Sequence, residues 1–274
     1  MSNHLDIGLI FFEGPISRAY VNYFKKKNIK LNNIIFLSNK NFKFLPNKIS
    51  VKLNYYRNNY HALRLLKTEL FKKNKKLISN HFNFDDDFIT DMYSNFDLKT
   101  IADRIFYISD DNINSEKLFD KLKKIKKQKF IFTGGGIVKK KIFDIGHDLI
   151  HIHPGYLPNI KGADGVLWST LKYNYLGVSS FLMNEKIDEG KIIGREKKNI
   201  FKLKLSKEKI TNKDLYRFIF SFFDPLLRTW HLNRMIGQFS NIAIQDINIS
   251  GENNDYFSFM DSENFKKVKS ILFE

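Results

Sequence analysis

Three short segments of the chain carry residue types at spacings that suit chemistry. The first is Thr133-Gly134-Gly135-Gly136-Ile137. Consecutive glycines let backbone amides come close to a ligand. No Gly-Lys-Ser/Thr follows, so this is not a nucleoside-triphosphate loop, and the glycine spacing does not match a dinucleotide fingerprint. The second runs from His151-Ile152-His153-Pro154-Gly155-Tyr156-Leu157-Pro158 to Lys161-Gly162-Ala163-Asp164-Gly165-Val166-Leu167-Trp168. Alternation along a strand places His151 and His153 on one face, where they could ligate a metal, exchange protons or serve packing. The third is Asn184-Glu185-Lys186-Ile187-Asp188-Glu189-Gly190. A carboxylate in such a turn can orient a histidine or accept a proton, or simply stabilise its own turn.

The elements needed to position these segments are legible in the apolar pattern. Ile7-Phe12, Asn33-Ser38, Arg104-Ser109, Phe130-Thr133, Leu149-His153 and Gly177-Met183 are predicted strands, with a further apolar run at Ile192-Ile193. Helices are predicted from Pro15 to about Lys27, from His61 to Lys73, from Ser115 (as cap) to Lys127, and from Trp168 to about Tyr173. Residues 39–60 read as irregular and Asn-rich, with a short strand at Ile49-Leu53. Short strands alternating with helices predict an α/β domain with a mostly parallel sheet. Loops after parallel strands gather at one sheet edge, the usual place for a ligand. From Phe201 the character shifts, with one or two aromatic helices over Thr211-Met235 and late strands at Phe239-Ile249 and Tyr256-Phe259. The expected division is therefore a domain over 1–200 and a C-terminal helical and β extension over 201–274.

Composition narrows the classes. With 43% hydrophobic and 15% aromatic residues in 274, the chain has material for a full core and is not a disordered polymer. The absence of cysteine excludes a disulfide scaffold, a Cys-based zinc site, an iron–sulfur cluster and a Cys nucleophile. No segment reads as a membrane helix, and the first residues lack a signal-peptide pattern, so a cytoplasmic protein with no membrane partner is expected. The net charge of +17 has two readings: an anionic partner, or lysines spread over solvated helix faces. The second is preferred, and nucleic acid is not an expected partner.

The order and spacing of the second and third segments resemble one family, the folate-dependent formyltransferases. That family carries Asn-x-His-Pro-Ser/Gly-x-Leu-Pro after a Gly-containing loop, and Asp-x-Gly-x-Ile-Ile about thirty-five residues later. Here the matching stretches are His151-Ile152-His153-Pro154-Gly155-Tyr156-Leu157-Pro158 and Asp188-Glu189-Gly190-Lys191-Ile192-Ile193. The resemblance implies a Rossmann-like formyltransferase domain, 10-formyltetrahydrofolate as co-substrate, a primary amine as acceptor and no metal. It implies His153 and Asp188 as catalytic residues, the histidine donating to the oxyanion and the carboxylate helping to remove the amine proton. The pterin-binding loops map to Gly135, Gly136, Ile137 and Val138 and to Met183, Asn184 and Glu185. The family Asn is replaced by His151, which could donate in its place. A metal site made by His151, His153 and Asp188 is the sharper alternative.

The length and the small C-terminal appendage resemble sugar N-formyltransferases, so the expected acceptor is an amino sugar, nucleotide-linked or a related intermediate. Lys161, Asp164 and Trp168 are candidates to contact it. Methionyl-tRNA formyltransferase-like activity, hydrolysis of the formylfolate, and a folate-binding homologue without catalysis are the alternatives. The aromatics Tyr216, Phe218, Phe220, Phe222, Phe223 and Trp230 are assigned to packing, to an acceptor wall or to a homodimer interface.

Overall fold

The computed structural model describes residues 3–240 and 254–274. In chain order the first half contains β1 (Asn3–Phe12), α1 (Pro15–Lys26), β2 (Ile29–Leu37), α2 (Asn47–Leu65), α3 (Glu69–His81), α4 (Phe88–Asp91), β3 (Ala102–Ile108), α5 (Glu116–Lys123) and β4 (Lys129–Phe132). Then come α6 (Lys140–Phe143), β5 (Asp148–His153), β6 (Ile160–Gly162), α7 (Gly165–Tyr173), β7 (Tyr175–Leu182) and β8 (Lys191–Asn199). The C-terminal part holds α8 (Asn212–Phe218), α9 (Asp224–Ser240), β9 (Asp255–Phe257) and α10 (Ser262–Leu272).

One seven-stranded sheet runs β3-β2-β1-β4-β5-β7-β8. Its first five strands are parallel, and β7 and β8 each run antiparallel to the strand before them in that order. The parallel part has the Rossmann order, with strand order reversing between β1 and β4. Alternation sets the two faces. Ile7, Leu9 and Phe11 of β1 pack toward α1, α2 and α9, whereas Ile10 packs with Phe130 and Phe132 against Leu118 and Leu122 of α5. Helices therefore cover both faces, as a parallel sheet requires. Ser115 caps α5 as expected, its Oγ accepting from the Leu118 N–H at 3.3 Å.

Two segments depart from the expectation. Residues 47–65 form one long helix, α2, instead of an irregular stretch with a strand at Ile49-Leu53, and the helix expected over His61-Lys73 is broken at residues 66–68. The inward stripe of α2 includes Ser50, Asn54 and Asn59, which carry no hydrophobic signal. These side chains are paired: Asn54 Nδ2 donates to Ser38 Oγ at 2.6 Å, and Asn59 Nδ2 to Glu13 Oε1 at 2.8 Å. The break falls where Thr68 Oγ1 accepts from the Phe71 N–H and starts α3.

The C-terminal helices are nearly continuous. A π-helical turn, Ile219–Phe223, joins α8 to α9. Pro225 has no N–H for the carbonyl four residues back, at Ser221, which disrupts the ladder there. That carbonyl instead accepts from the Tyr93 hydroxyl at 2.6 Å. Phe218, Phe222 and Phe223 are fully buried in the same cluster as β1 and β5, so the core does not break at residue 200. Of the expected strand Phe239-Ile249, residues 239 and 240 belong to α9 and the rest lies outside the described residues. The expected strand at Tyr256-Phe259 is β9, which pairs in parallel with β6. No described helix is long and apolar enough to cross a membrane.

Candidate active site

A pocket of about 610 Å³ opens beside β4 and β5. Thr133 to Val138, the loop after β4, form one wall, and Met183 to Asp188 form another. His151, His153, Asp164, Arg228 and Asp224 are polar groups on its lining, and Phe132, Phe181, Tyr216 and Phe220 supply apolar surface. All seven residues expected to hold the pterin are therefore on the pocket. Gly135 and Gly136 have open space where a Cβ would stand, and Gly136 has φ +92°, a value that disfavours any side chain. The backbone there is bare, as a flat ring bound through main-chain groups requires.

The second wall arrives in an unexpected way. Because β7 runs antiparallel to β5, the Asp188 turn is not a loop after a parallel strand. It folds back to the pocket under three restraints. Asn184 Nδ2 donates to Glu189 O at 3.1 Å, Lys161 Nζ pairs with Glu189 Oε1 at 2.6 Å, and the Gly162 N–H donates to Asp188 Oδ2 at 2.8 Å. Gly190 is needed for this path, since a Cβ there would lie 1.7 Å from Leu182 O.

The fold-back brings Asp188 to His153, with Oδ2 3.5 Å from Nδ1. The other nitrogen of His153, Nε2, lies 3.0 Å from Ile160 O. A carbonyl can only accept, so Nε2 carries the proton. Burial lowers the His153 pKa, and the Asp188 charge opposes that shift. His151, on the same face of β5, places Nδ1 3.0 Å from Phe132 O. Burial first, then the Arg228 guanidinium, pushes its pKa down to about 4. The two histidines thus turn protons toward different carbonyls. No group of three or more His, Cys, Asp or Glu among the described residues is arranged to hold a metal ion.

The three expected acceptor contacts separate. Asp164 lines the pocket, accepting from the Tyr216 hydroxyl at 2.9 Å and from the Met260 N–H at 2.8 Å. Burial raises its pKa, and these two hydrogen bonds work against the rise. Lys161 and Trp168 are not on the pocket lining. Lys161 is buried in its pair with Glu189, and Trp168 donates Nε1–H to Ser258 O and stacks on Phe257 with ring centres 4.8 Å apart. Both hold the loop after β5 in place.

Sequence reasoning missed Asp224 and Arg228. Arg228 donates through Nε to Asp224 Oδ1 at 2.8 Å and through Nη1 to Ile152 O at 2.6 Å, between the two histidines. The signal was present: an Asp and an Arg four apart are the only charges in the run from Phe218 to Trp230, spaced to pair on one helix face. Of the aromatics, Tyr216 and Phe220 reach the pocket, while Phe218, Phe222 and Phe223 serve the core.

No family model matches the chain. Methionyl-tRNA formyltransferase of Finegoldia magna is 30% identical over 93 residues, which is 33% of this chain and 30% of that protein. The chain thus matches under a third of that relative's length. Among solved structures, a sugar N-formyltransferase from Shewanella sp. aligns over 94% of this chain and 77% of its own, with 16% identity and a TM-score of 0.44. A 4-N formyltransferase from Francisella tularensis aligns over 95% and 78%, with 12% identity and a TM-score of 0.47. At these values the likenesses decide nothing by themselves, and the case for a function rests on the pocket.

Proposed function

We propose that this protein is a folate-dependent N-formyltransferase that moves the formyl group of 10-formyltetrahydrofolate to a primary amine, the acceptor being an amino sugar, nucleotide-linked or a related intermediate. One observation carries the reading. His153 and Asp188, the two motif residues kept from the family, are 35 positions apart and meet at 3.5 Å on a pocket walled by both expected pterin loops.

The residues present fit a formylfolate. Open glycine backbone and the apolar Ile137, Val138 and Met183 suit a flat ring, and the acidic and aromatic side, Asp164, Tyr216 and Phe220, suits a hydrogen-bond-donating amine on a sugar ring. When bound, the folate supplies the activated formyl carbon. Asp188, held by the Gly162 N–H, sets its negative charge beside the His153 ring, Asp164 accepts a hydrogen bond from the acceptor amine, and the fixed Arg228 charge favours the oxyanion that forms on transfer. Segment 201–274 contributes the acceptor side of the pocket through Tyr216 and Phe220. Neither a metal nor nucleic acid enters this reading.

Thermal melts with 5-formyl- and 10-formyltetrahydrofolate test the donor, because a ligand that binds the native state raises its melting temperature. Release of tetrahydrofolate with a panel of nucleotide-linked amino sugars, methionyl-tRNA and water tests the acceptor. No melting shift with either folate at saturation rejects the reading, and turnover with methionyl-tRNA or water alone rejects the acceptor.

A further inference from the structure

His151 stands where the resembling family has an amide that donates a hydrogen bond. Its geometry here reverses that polarity. Nδ1 lies 3.0 Å from Phe132 O, and the carbonyl must accept, so the ring's proton sits on Nδ1. In a neutral imidazole the other nitrogen, Nε2, is then a bare lone pair. The edge-on ring of Phe181, with centres 5.9 Å apart, and the tilted ring of Phe132 flank the imidazole and keep it in this orientation. Nε2 has no hydrogen-bond partner among the described residues, is not one of the buried unpaired atoms, and belongs to a residue on the pocket lining. His153 differs: its Nε2 faces Ile160 O and its Nδ1 faces Asp188. Of the two, only His151 offers the pocket an acceptor.

We propose that His151 is the proton acceptor of the transfer, taking the amine proton on Nε2 and returning it to the leaving group. The inference rests on the formyl-transfer reading. As the amine nitrogen bonds to the formyl carbon, the carbonyl pair moves to oxygen and one N–H proton passes to Nε2. When the carbonyl re-forms and the bond from the formyl carbon to the donor's nitrogen breaks, Nε2 gives the proton to that nitrogen. The products are a formamide and tetrahydrofolate, and His151 ends neutral.

The charged groups around the ring support this cycle. Burial first, and then Arg228 and His153, disfavour a second proton on it at rest, while Asp188 favours one. The resting ring is therefore a free base at neutral pH. The oxyanion that forms beside it adds negative charge at the moment the proton must be received, which raises its basicity when needed. An amide at this position could donate but could not take up a proton.

The test has one structural and two kinetic readouts on the full chain. Nitrogen-15 NMR of the imidazoles, assigned by comparison with His151→Asn, should show His151 protonated on Nδ1 and bare on Nε2 at pH 7. With an amine that the parent formylates, His151→Asn should lower kcat by about a hundredfold to ten-thousandfold, the range for a general base. His151→Ala should lose a similar factor and regain activity with added imidazole. Folate-induced melting shifts in both variants verify that the pocket persists. A proton on Nε2, parent-like turnover in His151→Asn, or no imidazole rescue of a folded His151→Ala overturns the proposal. If the parent binds no formylfolate or formylates no amine, the transfer reading fails and this role falls with it. Parent turnover with an indifferent His151→Asn rejects the base role alone.

Discussion

Replacing Asp224 by Asn separates the charge beneath the pocket from the shape around it. Asp224 is 1% exposed and Arg228 8%, and they share two hydrogen bonds, Nε to Oδ1 at 2.8 Å and Nη2 to Oδ2 at 3.2 Å. Asn keeps the size and one acceptor but leaves the guanidinium as an uncompensated buried cation. Removing one partner of a buried pair costs about 3–5 kcal/mol. At roughly 2–4 °C per kcal/mol for a chain of this size, melting should fall by about 6–20 °C. Arg228→Met strands the carboxylate and should cost a similar amount. The double variant, with neither charge, should be less destabilised than the sum of the two by at least about 2 kcal/mol. The assay is urea unfolding of all four proteins, read as a coupling energy. A loss under about 1 kcal/mol in Asp224→Asn, or additive singles, would falsify the claim that this pair is a tightly coupled buried unit. A second consequence is local. Arg228 Nη1 donates to Ile152 O, so Arg228→Met should loosen the strand carrying both histidines and reduce the folate-induced melting shift.

Asp188 has φ 52°, a conformation Asn adopts readily, so Asp188→Asn should stay within about 1 kcal/mol of the parent. The same variant should lower the His153 pKa further, visible by NMR titration, because the Asp188 charge raises it. Turnover should fall by several powers of ten, as for catalytic groups acting together; near-normal turnover removes Asp188 from the mechanism. The pH dependence of stability has a definite sign. His151 has its ordinary value of 6.5 unfolded and about 4 folded, so between these the unfolded chain binds the extra proton. Stability is complete above about pH 6.5 and falls toward pH 4 by at most about 3 kcal/mol, less where pocket water reaches the ring. Chemical denaturation across that range should show a smaller fall in His151→Asn, and an identical fall would refute the assignment. Gly190→Ala drives a Cβ to 1.7 Å from Leu182 O, so the turn must shift. A cost of about 1–3 kcal/mol and a weakened folate-induced shift are expected, and an unaltered shift would show that the turn does not hold the folate.

The sequence by itself determined the parallel half of the fold and the identity of the pocket walls. Apolar runs at Ile7-Phe12, Phe130-Thr133 and Leu149-His153 bury strands on both faces whatever their neighbours do, and the β5 alternation alone puts His151 and His153 on one face. Helix α2 was not legible, because its buried stripe is polar at Ser50, Asn54 and Asn59 and becomes apolar only at Ala62 and Leu65, and the polar pairing with Ser38 and Glu13 depends on residues far away in the chain. Nor could local pattern reveal that Lys161 is spent on Glu189, or that Arg228 reaches β5 from a helix 76 positions away. Which nitrogen of His151 faces the pocket was decided last. It depends on the register of β5 against β4, which sets the Phe132 carbonyl beside Nδ1. A residue type fixes which protons exist, but only the partners brought by tertiary structure fix where they sit.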